Sequence, residues 1–177
     1  MGTEIERKFL VTSEHWRAAV QCSERMLQGY LIGAHALHEG HARASVRVRL
    51  AGEHAWLNIK AAQLGIARAE YEYAIPPVDA EALIATLCEG VVEKIRHYAP
   101  VDGALFEIDE FLGANAGLVV AEIELDAIDA AFPVPTWLGR EVSTTGRYYN
   151  VNLIEHPYAD WTADERNATD VEDATCC

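Results

Sequence analysis

Charged side chains recur at every second position in seven separate segments of this chain. The first segment, "EIERKFLV", carries Glu4, Glu6 and Lys8 in alternation with other residues. Residues two apart in a β-strand project from the same face of the sheet, so these three charged groups would share one face. Repetition of the pattern along the chain predicts a mainly β protein whose strands each have one charged face and one largely apolar face.

The same alternation occurs in six further segments, which are "ASVRVRL", "AWLNIKA", "ARAEYEYAI", "VEKIRHY", "LFEIDEF" and "VVAEIELD". A less regular segment, "GRYYNVNLI", completes a predicted set of eight strands. Helical signals are fewer. Ser13 is a candidate N-cap for a short helix, and Asp79 is a candidate N-cap for "AEALIATLCE". The segment "GAHALHEGHA" predicts a loop with exposed histidines.

The charged faces combine eight acids with seven bases and carry almost no Ser, Thr or Gln. The acids are Glu4, Glu6, Glu70, Glu72, Glu107, Asp109, Glu122 and Glu124, and the bases are Lys8, Arg47, Arg49, Lys60, Arg68, Lys94 and Arg96. One interpretation is an ordinary sheet whose polar faces meet water. We favour a closed or nearly closed β-barrel with a charged lumen, because closure removes the sheet edges and leaves the apolar faces for helices to cover.

A lumen lined with both signs of charge suits a phosphate-rich ligand together with a divalent ion. Arginine and lysine bind the oxygens of polyanions. Grouped carboxylates hold a hard ion such as Mg²⁺, which keeps several waters and commonly also binds substrate phosphates. The alternative is that the bases only neutralise the acids inside the barrel, since structural ion networks also cluster charges.

Length and charge narrow the function classes. The 177 residues predict one domain over residues 1–157, followed by an acidic, disordered tail over residues 158–177. The net charge of -14 opposes nucleic-acid binding, which needs a basic surface. No run of apolar residues is long enough for a membrane span, and "MGTEIERKF" does not have the pattern of a signal peptide. We therefore expect a cytoplasmic protein that does not bind membranes.

The ordered set of motifs resembles the CYTH superfamily, the triphosphate tunnel metalloenzymes. "EIERKF" has the form E-x-E-x-K, which is a weak pattern alone. The resemblance becomes strong because "LQGYL", "VRVR", "LNIK", "RAEYEY", "EKIRHY", "FEIDEF", "AEIEL" and "LGREVSTTGRYYN" follow in the family's order, over about residues 3–156. This resemblance implies an eight-stranded antiparallel tunnel with a few helices outside it, a divalent metal and triphosphate-bearing substrates.

The resemblance also implies roles for individual residues. The metal ligands would be Glu4, Glu6, Asp109, Glu122 and Glu124. The phosphate-binding bases would be Lys8, Arg47, Arg49, Lys60, Arg68, Lys94 and Arg96. Glu70 and Glu72 match acidic positions that would hold a second metal or activate water.

A general base is a separate question. Lys94 is a candidate, assisted by Tyr30, because the cationic neighbour Arg96 would lower the pKa of the lysine. Members of the family resembled here often carry acids just before the "RY" pair. In this chain Thr144, Thr145 and Gly146 occupy that stretch, so the acids that those family members carry there are absent.

These observations predict metal-dependent hydrolysis of inorganic triphosphate to diphosphate and phosphate, with Mg²⁺ or Mn²⁺, as in small bacterial inorganic triphosphatases. Three alternatives stay open: a class IV-type adenylate cyclase, a thiamine triphosphatase, and a non-catalytic module that binds polyphosphate. The expected partner is a small-molecule triphosphate, and the expected assembly is a monomer or a homodimer.

Overall fold

The computed structural model describes residues 2–63 and 65–167. Its strands are β1 (Gly2–Val11), β2 (Cys22–Ile32), β3 (Ala44–Ala51), β4 (His54–Ala61), β5 (Ala67–Ile75), β6 (Val91–Val101), β7 (Ala104–Phe111), β8 (Val119–Glu124) and β9 (Leu138–Glu141). Its α-helices are α1 (Ala34–His38), α2 (Pro77–Thr86), α3 (Asn152–Glu155) and α4 (Ala163–Asn167). Short 3₁₀ turns occupy Glu14–Ala19, Gly113–Asn115, Gly146–Tyr148 and Tyr158–Asp160.

Strands β1 to β8 form a closed antiparallel barrel. Their order is β5-β4-β3-β2-β6-β7-β8-β1, and β1 pairs again with β5 to complete the circle. The closing pairs include Glu4 opposite Arg68, which joins two of the charged faces. Strand β9 is an addition that pairs with the later half of β1, at Phe9 and Val11. The predicted eight-stranded antiparallel barrel is therefore confirmed.

One predicted strand is wrong, and one observed strand is not among those predicted from alternation. The segment "GRYYNVNLI" forms the 3₁₀ turn Gly146–Tyr148 and helix α3 instead of a strand. The eighth strand of the barrel is β2, whose residues Met26, Gln28 and Tyr30 alternate but carry no charge. Alternating charge does not reveal β2 because its two charged residues, Glu24 and Arg25, are adjacent and the alternating positions that follow are uncharged.

The helical predictions also need correction at their starts. Ser13 occupies the N-cap position of the 3₁₀ turn Glu14–Ala19, but its side chain makes no capping hydrogen bond. Helix α2 begins at Pro77 with Pro76 as its N-cap, so Asp79 lies in the first turn. Proline is preorganised for the first helical position, which explains the earlier start. The predicted histidine loop contains helix α1.

The apolar faces of the strands point outward and are covered. Trp16 from the first 3₁₀ turn packs with Phe106, Ile108 and other buried residues of one cluster. Ala80 of α2 packs against Val48 and its neighbours in a second cluster. Because the apolar faces lie outside, the charged faces line the interior, as the favoured interpretation of the sequence predicted.

At one end of the barrel the lumen face becomes apolar. Along β1 it passes from Lys8 to Leu10, and along β8 it passes from Glu122 to Val120. The segment after β9 packs into this end. Tyr148, Leu153 and Trp161 of that segment form a cluster with Val92, Phe111, Leu118 and Val120. The C-terminal segment thus closes the apolar end over the charged interior.

Residues 158–167 differ from the predicted disordered tail. Trp161 is only 4% exposed, and its indole Nε1 donates to the His156 carbonyl oxygen at 3.0 Å. Helix α4 follows, with Thr162 and Glu165 forming a capping box at its start. The remainder of the predicted tail, residues 168–177, lies outside the described residues. Among those described, no helix combines the length and hydropathy that crossing a membrane requires.

Candidate active site

A cavity of about 940 Å³ occupies the charged interior of the barrel. Most of the residues predicted for the site line it, namely Glu4, Glu6, Lys8, Tyr30, Arg47, Arg49, Lys60, Arg68, Glu70, Glu72, Arg96, Glu122 and Glu124. Glu107, predicted only for the charged face, lines it too. They come from eight strands because each strand contributes the residues at its alternate positions. The closed sheet therefore brings together residues that lie far apart in the sequence.

Lys8 connects the acids of β1 with those of β8. Its Nζ lies 2.5 Å from Glu6 Oε1 and also bonds a carboxylate oxygen of Glu122, which is its paired residue on β8. Burial alone would raise the pKa of the Glu122 carboxyl. The neighbouring Lys8, Arg96 and Lys94 outweigh burial and hold that pKa well below its usual range. Glu122 therefore stays ionised inside the barrel.

Arg96 binds three acids at once. Its Nε and Nη2 donate to the two Asp109 oxygens, both at 2.7 Å, and Nη2 also lies 2.5 Å from Glu122 Oε2. Glu107 contacts the remaining nitrogen, Nη1. Removing Arg96 would leave the buried carboxylates of Asp109 and Glu122 without this partner, which would destabilise the fold.

Lys94 and Asp109 lie behind the cavity wall. Both side chains are 0% exposed, they bond one another, and neither lines the cavity. Burial lowers the pKa of Lys94 to about 8, and the nearby Arg96 adds to the effect. The direction of this shift agrees with the one expected from the sequence. The structure nevertheless brings neither the predicted base Lys94 nor the predicted metal ligand Asp109 to the cavity surface.

The bases on the β4 and β5 side contact carboxylates. Lys60 Nζ lies 2.8 Å from Glu4 Oε1 and 3.1 Å from Glu70 Oε2, and Arg68 Nε lies 3.0 Å from Glu4 Oε2. Arg49 Nη2 lies 2.6 Å from Glu72 Oε2. These lumen bases are therefore paired with lumen acids.

Arg47 differs from the other lumen bases. It is 8% exposed, and among the described residues it forms no ion pair with a carboxylate. Its Nε is buried and has no hydrogen-bond partner within the described part of the chain. Burial alone would lower the pKa of Arg47, but the neighbouring Tyr30, Glu70 and Glu4 outweigh burial and raise it, so the guanidinium stays charged. A charged guanidinium that forms no ion pair can donate to an anionic ligand, and this position therefore suits one.

The lumen acids provide the donor set of a hard cation. Burial raises the pKa of Glu124, and the like charges of Glu4, Glu6 and Glu70 raise it further. A divalent cation would relieve this repulsion, and carboxylate oxygens are the ligands that Mg²⁺ and Mn²⁺ prefer. Over residues 2–63 and 65–167, no three acids, histidines or cysteines already stand in metal-binding geometry. The chemistry of the donors fits such an ion, and the carboxylates would turn from the bases to bind it.

Two further residues, one buried in the barrel wall and one lining the cavity, had no role predicted from the sequence. Asn58, on the lumen face of β4, is fully buried and donates to both Glu70 and Glu72. Asn150 lines the cavity and donates to Gln28 Oε1 at 2.9 Å. Alternation in "AWLNIKA" did put Asn58 on the charged face, but an amide carries no charge and drew no functional prediction.

Comparison with known proteins gives consistent results. Residues 2–158 match the CYTH domain family. A protein named inorganic triphosphatase from Acetivibrio thermocellus is 42% identical over 159 residues, covering 89% of this chain and 97% of the relative. One of the same name from Nitrosomonas europaea is 35% identical over 154 residues, covering 85% and 96%. The crystal structure of an inorganic triphosphatase superposes with a TM-score of 0.61 and 34% identity, covering 87% of this chain and 95% of the other.

Proposed function

This chain belongs to the CYTH domain family, and from that premise we propose that it is a divalent-metal-dependent triphosphatase that hydrolyses inorganic triphosphate to diphosphate and phosphate. The observation that carries the proposal is Arg47, a buried lumen guanidinium without a carboxylate partner among the described residues. A site that only balanced charge would pair this group, whereas a site for a polyanion leaves it available. Two relatives with high coverage, both named inorganic triphosphatase, support the same conclusion.

The bases around the cavity would bind the triphosphate oxygens. Arg47 and Arg49 lie two apart on one face of β3, where two guanidinium groups can hold adjacent phosphates. Lys60 and Arg68 come from the β4 and β5 wall, and Lys8 and Arg96 come from β1 and β6. Positioning and charge neutralisation supply most of the catalysis in phosphoryl transfer, which needs little covalent help.

The metal would be Mg²⁺ or Mn²⁺, held by Glu4, Glu6, Glu122 and Glu124. A bound divalent ion supplies charge neutralisation and polarisation of the phosphate oxygens. Asp109 is the exception within the predicted ligand set, because its side chain is fully buried, does not line the cavity and accepts from Lys94 and Arg96. We assign it to fixing those two bases.

Hydrolysis would proceed by in-line attack of water on a terminal phosphorus. The water oxygen forms a bond to that phosphorus while the bond from phosphorus to the bridging oxygen breaks. The bridging oxygen leaves on diphosphate, and the water proton passes to a carboxylate of Glu70 or Glu72. Both carboxylates line the cavity, whereas Lys94 does not. Tyr30 lines it as well, and its hydroxyl would contact the substrate.

We further propose that the protein acts in the cytoplasm, as a monomer or a homodimer. Its net charge of -14 opposes a nucleic-acid partner. A phosphate-release assay tests the proposed function. The purified protein is given inorganic triphosphate, ATP or thiamine triphosphate, with Mg²⁺ or Mn²⁺. We expect the highest kcat/KM with inorganic triphosphate. A preference for ATP with formation of cyclic AMP would replace this function with that of a cyclase, and absence of turnover on all three would leave a binding module.

A further inference from the structure

Asn58 lies on the lumen face of β4, between Trp56 and Lys60. It is 0% exposed, and the strand register places it opposite Arg47 on β3 and Glu72 on β5. A buried amide is costly unless its polar atoms are hydrogen-bonded. Its hydrogen bonds therefore indicate what the amide does in a wall of charged side chains.

Two carboxylates determine which way the Asn58 amide points. Its Nδ2 donates to Glu70 Oε1 at 3.0 Å and to Glu72 Oε2 at 2.6 Å. An ionised carboxylate only accepts hydrogen bonds, so the opposite orientation would set the amide oxygen against two other acceptors. Both amide hydrogens are used, and a single side chain fixes both carboxylates in position.

The other atom of the amide has no partner. Asn58 Oδ1 is buried without a hydrogen bond from any described residue, and the same holds for Arg47 Nε on the paired position of β3. An unsatisfied buried polar atom destabilises the protein. A molecule that satisfies both atoms must donate to Oδ1 and accept from the Nε hydrogen. Water does both, whereas a deprotonated phosphate oxygen can only accept.

We propose that Asn58 is a positioning residue, whose Nδ2 holds Glu70 and Glu72 towards the substrate and whose Oδ1 binds a water molecule in the lumen wall beside Arg47. The inference rests on the proposed triphosphatase function, in which these two carboxylates face the attacking water. Asn58 itself does not touch the phosphates and acts through the carboxylates. Its loss should therefore affect turnover more than substrate binding.

Two variants test this role. Asn58→Leu keeps a similar volume and removes both kinds of hydrogen bond. Asn58→Asp keeps the shape and the acceptor but replaces the donor with a third carboxylate. With inorganic triphosphate and Mg²⁺ we expect kcat to fall about tenfold to a hundredfold in each, the scale on which misplaced catalytic groups act. We expect KM to change by less than about threefold, because the phosphate-binding bases remain.

Asn115→Leu is the matched control. Asn115 is also a buried amide, 4% exposed, and it bonds the Leu153 carbonyl oxygen and the Tyr158 amide away from the lumen. This variant should lower the melting temperature and keep kcat. If both Asn58 variants keep the wild-type kcat, or if KM rises while kcat is unchanged, the positioning role is wrong. If the leucine variant does not fold, the kcat of Asn58→Asp alone decides whether the positioning role holds.

A crystal structure of the wild-type protein tests the water directly. We expect an ordered water within hydrogen-bond distance of both Asn58 Oδ1 and Arg47 Nε. A protein donor on Oδ1 would overturn this part of the inference. The failure of the proposed function is a different result, because there the wild-type protein itself would release no phosphate from triphosphate.

Discussion

At the level of single residues, the lumen bases fall into two kinds. Arg96 holds three acids, two of which are buried, whereas Arg47 forms no ion pair with a described carboxylate. A base that forms ion pairs with acids supports the fold, and a base that forms none is available to bind a ligand. The two kinds should respond differently to substitution.

Replacing Arg47 should weaken substrate binding without weakening the fold. A charge-assisted contact is worth about 1.5–3 kcal/mol, so Arg47→Met should reduce triphosphate affinity about tenfold to a hundredfold. Arg47→Lys should restore only part of it, because an ammonium lacks the two-pronged contact. The melting temperature should change little, because no ion pair with a described carboxylate is broken. Calorimetric titration with triphosphate and Ca²⁺, beside thermal melts, measures both quantities.

The control for this substitution is Arg25→Met. Arg25 pairs with Glu93 on the outer surface, and its side chain is 70% exposed. The Arg25→Met substitution removes the same charge outside the lumen, so the affinity for triphosphate should not change. Unchanged affinity in Arg47→Met, with a lowered melting temperature, would show that Arg47 is structural.

Lys94 should make stability depend on pH in the alkaline range. Its pKa in the folded protein is about 8, below the ordinary value of 10.5. Between these values the folded state has lost a proton that the unfolded state still binds, so the free energy of unfolding rises with pH. The gain attributable to Lys94 should be on the order of 1–3 kcal/mol. Urea unfolding of the metal-free wild type and of Lys94→Met is measured at several pH values from about 7.5 to 10. The difference between their free energies of unfolding, followed as a function of pH, gives the contribution of Lys94. A difference that is flat, or that falls with pH, would contradict the shift.

At the level of elements, the segment over residues 158–167 belongs to the packed structure. Trp161 is buried against Tyr148 and Tyr158, with ring centroids 5.1 Å apart in both pairs. Trp161→Ala should destabilise the protein by about 3–5 kcal/mol, the usual cost of removing a buried aromatic side chain. The control Asp164→Ala changes an exposed position of α4 and should shift stability by no more than about 0.5 kcal/mol. Chemical denaturation compares them, and equal stability of the two variants would mean that the segment does not dock.

The strands that could be predicted from the sequence are those whose charges repeat. Period-two charge separates a charged face from an apolar face in each strand. Closure is then favoured because it removes the sheet edges and leaves the apolar faces for helices to cover. Strand β2 could not be found in this way because Met26, Gln28 and Tyr30 keep the period without charge. The segment 146–154 has mixed composition, and its 3₁₀ turn and helix pack into the barrel end through contacts distant in sequence.

The same limit applies within the site. Alternation placed Lys94 and Asp109 on the lumen face, but it could not show how far they lie from the open cavity. That distance depends on Arg96 and Glu122, which come from two strands and lie in front of the buried pair. Asn58 was likewise on the right face, but its role depends on Glu70 and Glu72 on the next strand.

At the level of the whole molecule, the proposed substrate is a polyanion, whereas the protein has a net charge of -14. Eight acids share the charged strand faces with seven bases, so the bases alone do not neutralise both the acids and a triphosphate. A divalent cation removes this conflict. Phosphate release should therefore stop in EDTA and return when excess Mg²⁺ or Mn²⁺ is added. A phosphate-release assay with and without chelator checks this, and full turnover in chelator would show that no metal is needed.

The proposed function depends above all on triphosphate binding in the charged interior of the barrel. A crystal structure of the wild-type protein with inorganic triphosphate and Ca²⁺, a cation chosen to support binding while slowing turnover, tests this directly. We expect a phosphate chain inside the barrel, with oxygens contacting Arg47 and Arg49 and the cation on carboxylates of β1 and β8. Triphosphate bound only on the outer surface, with Arg47 still without an anionic partner, would contradict the proposal.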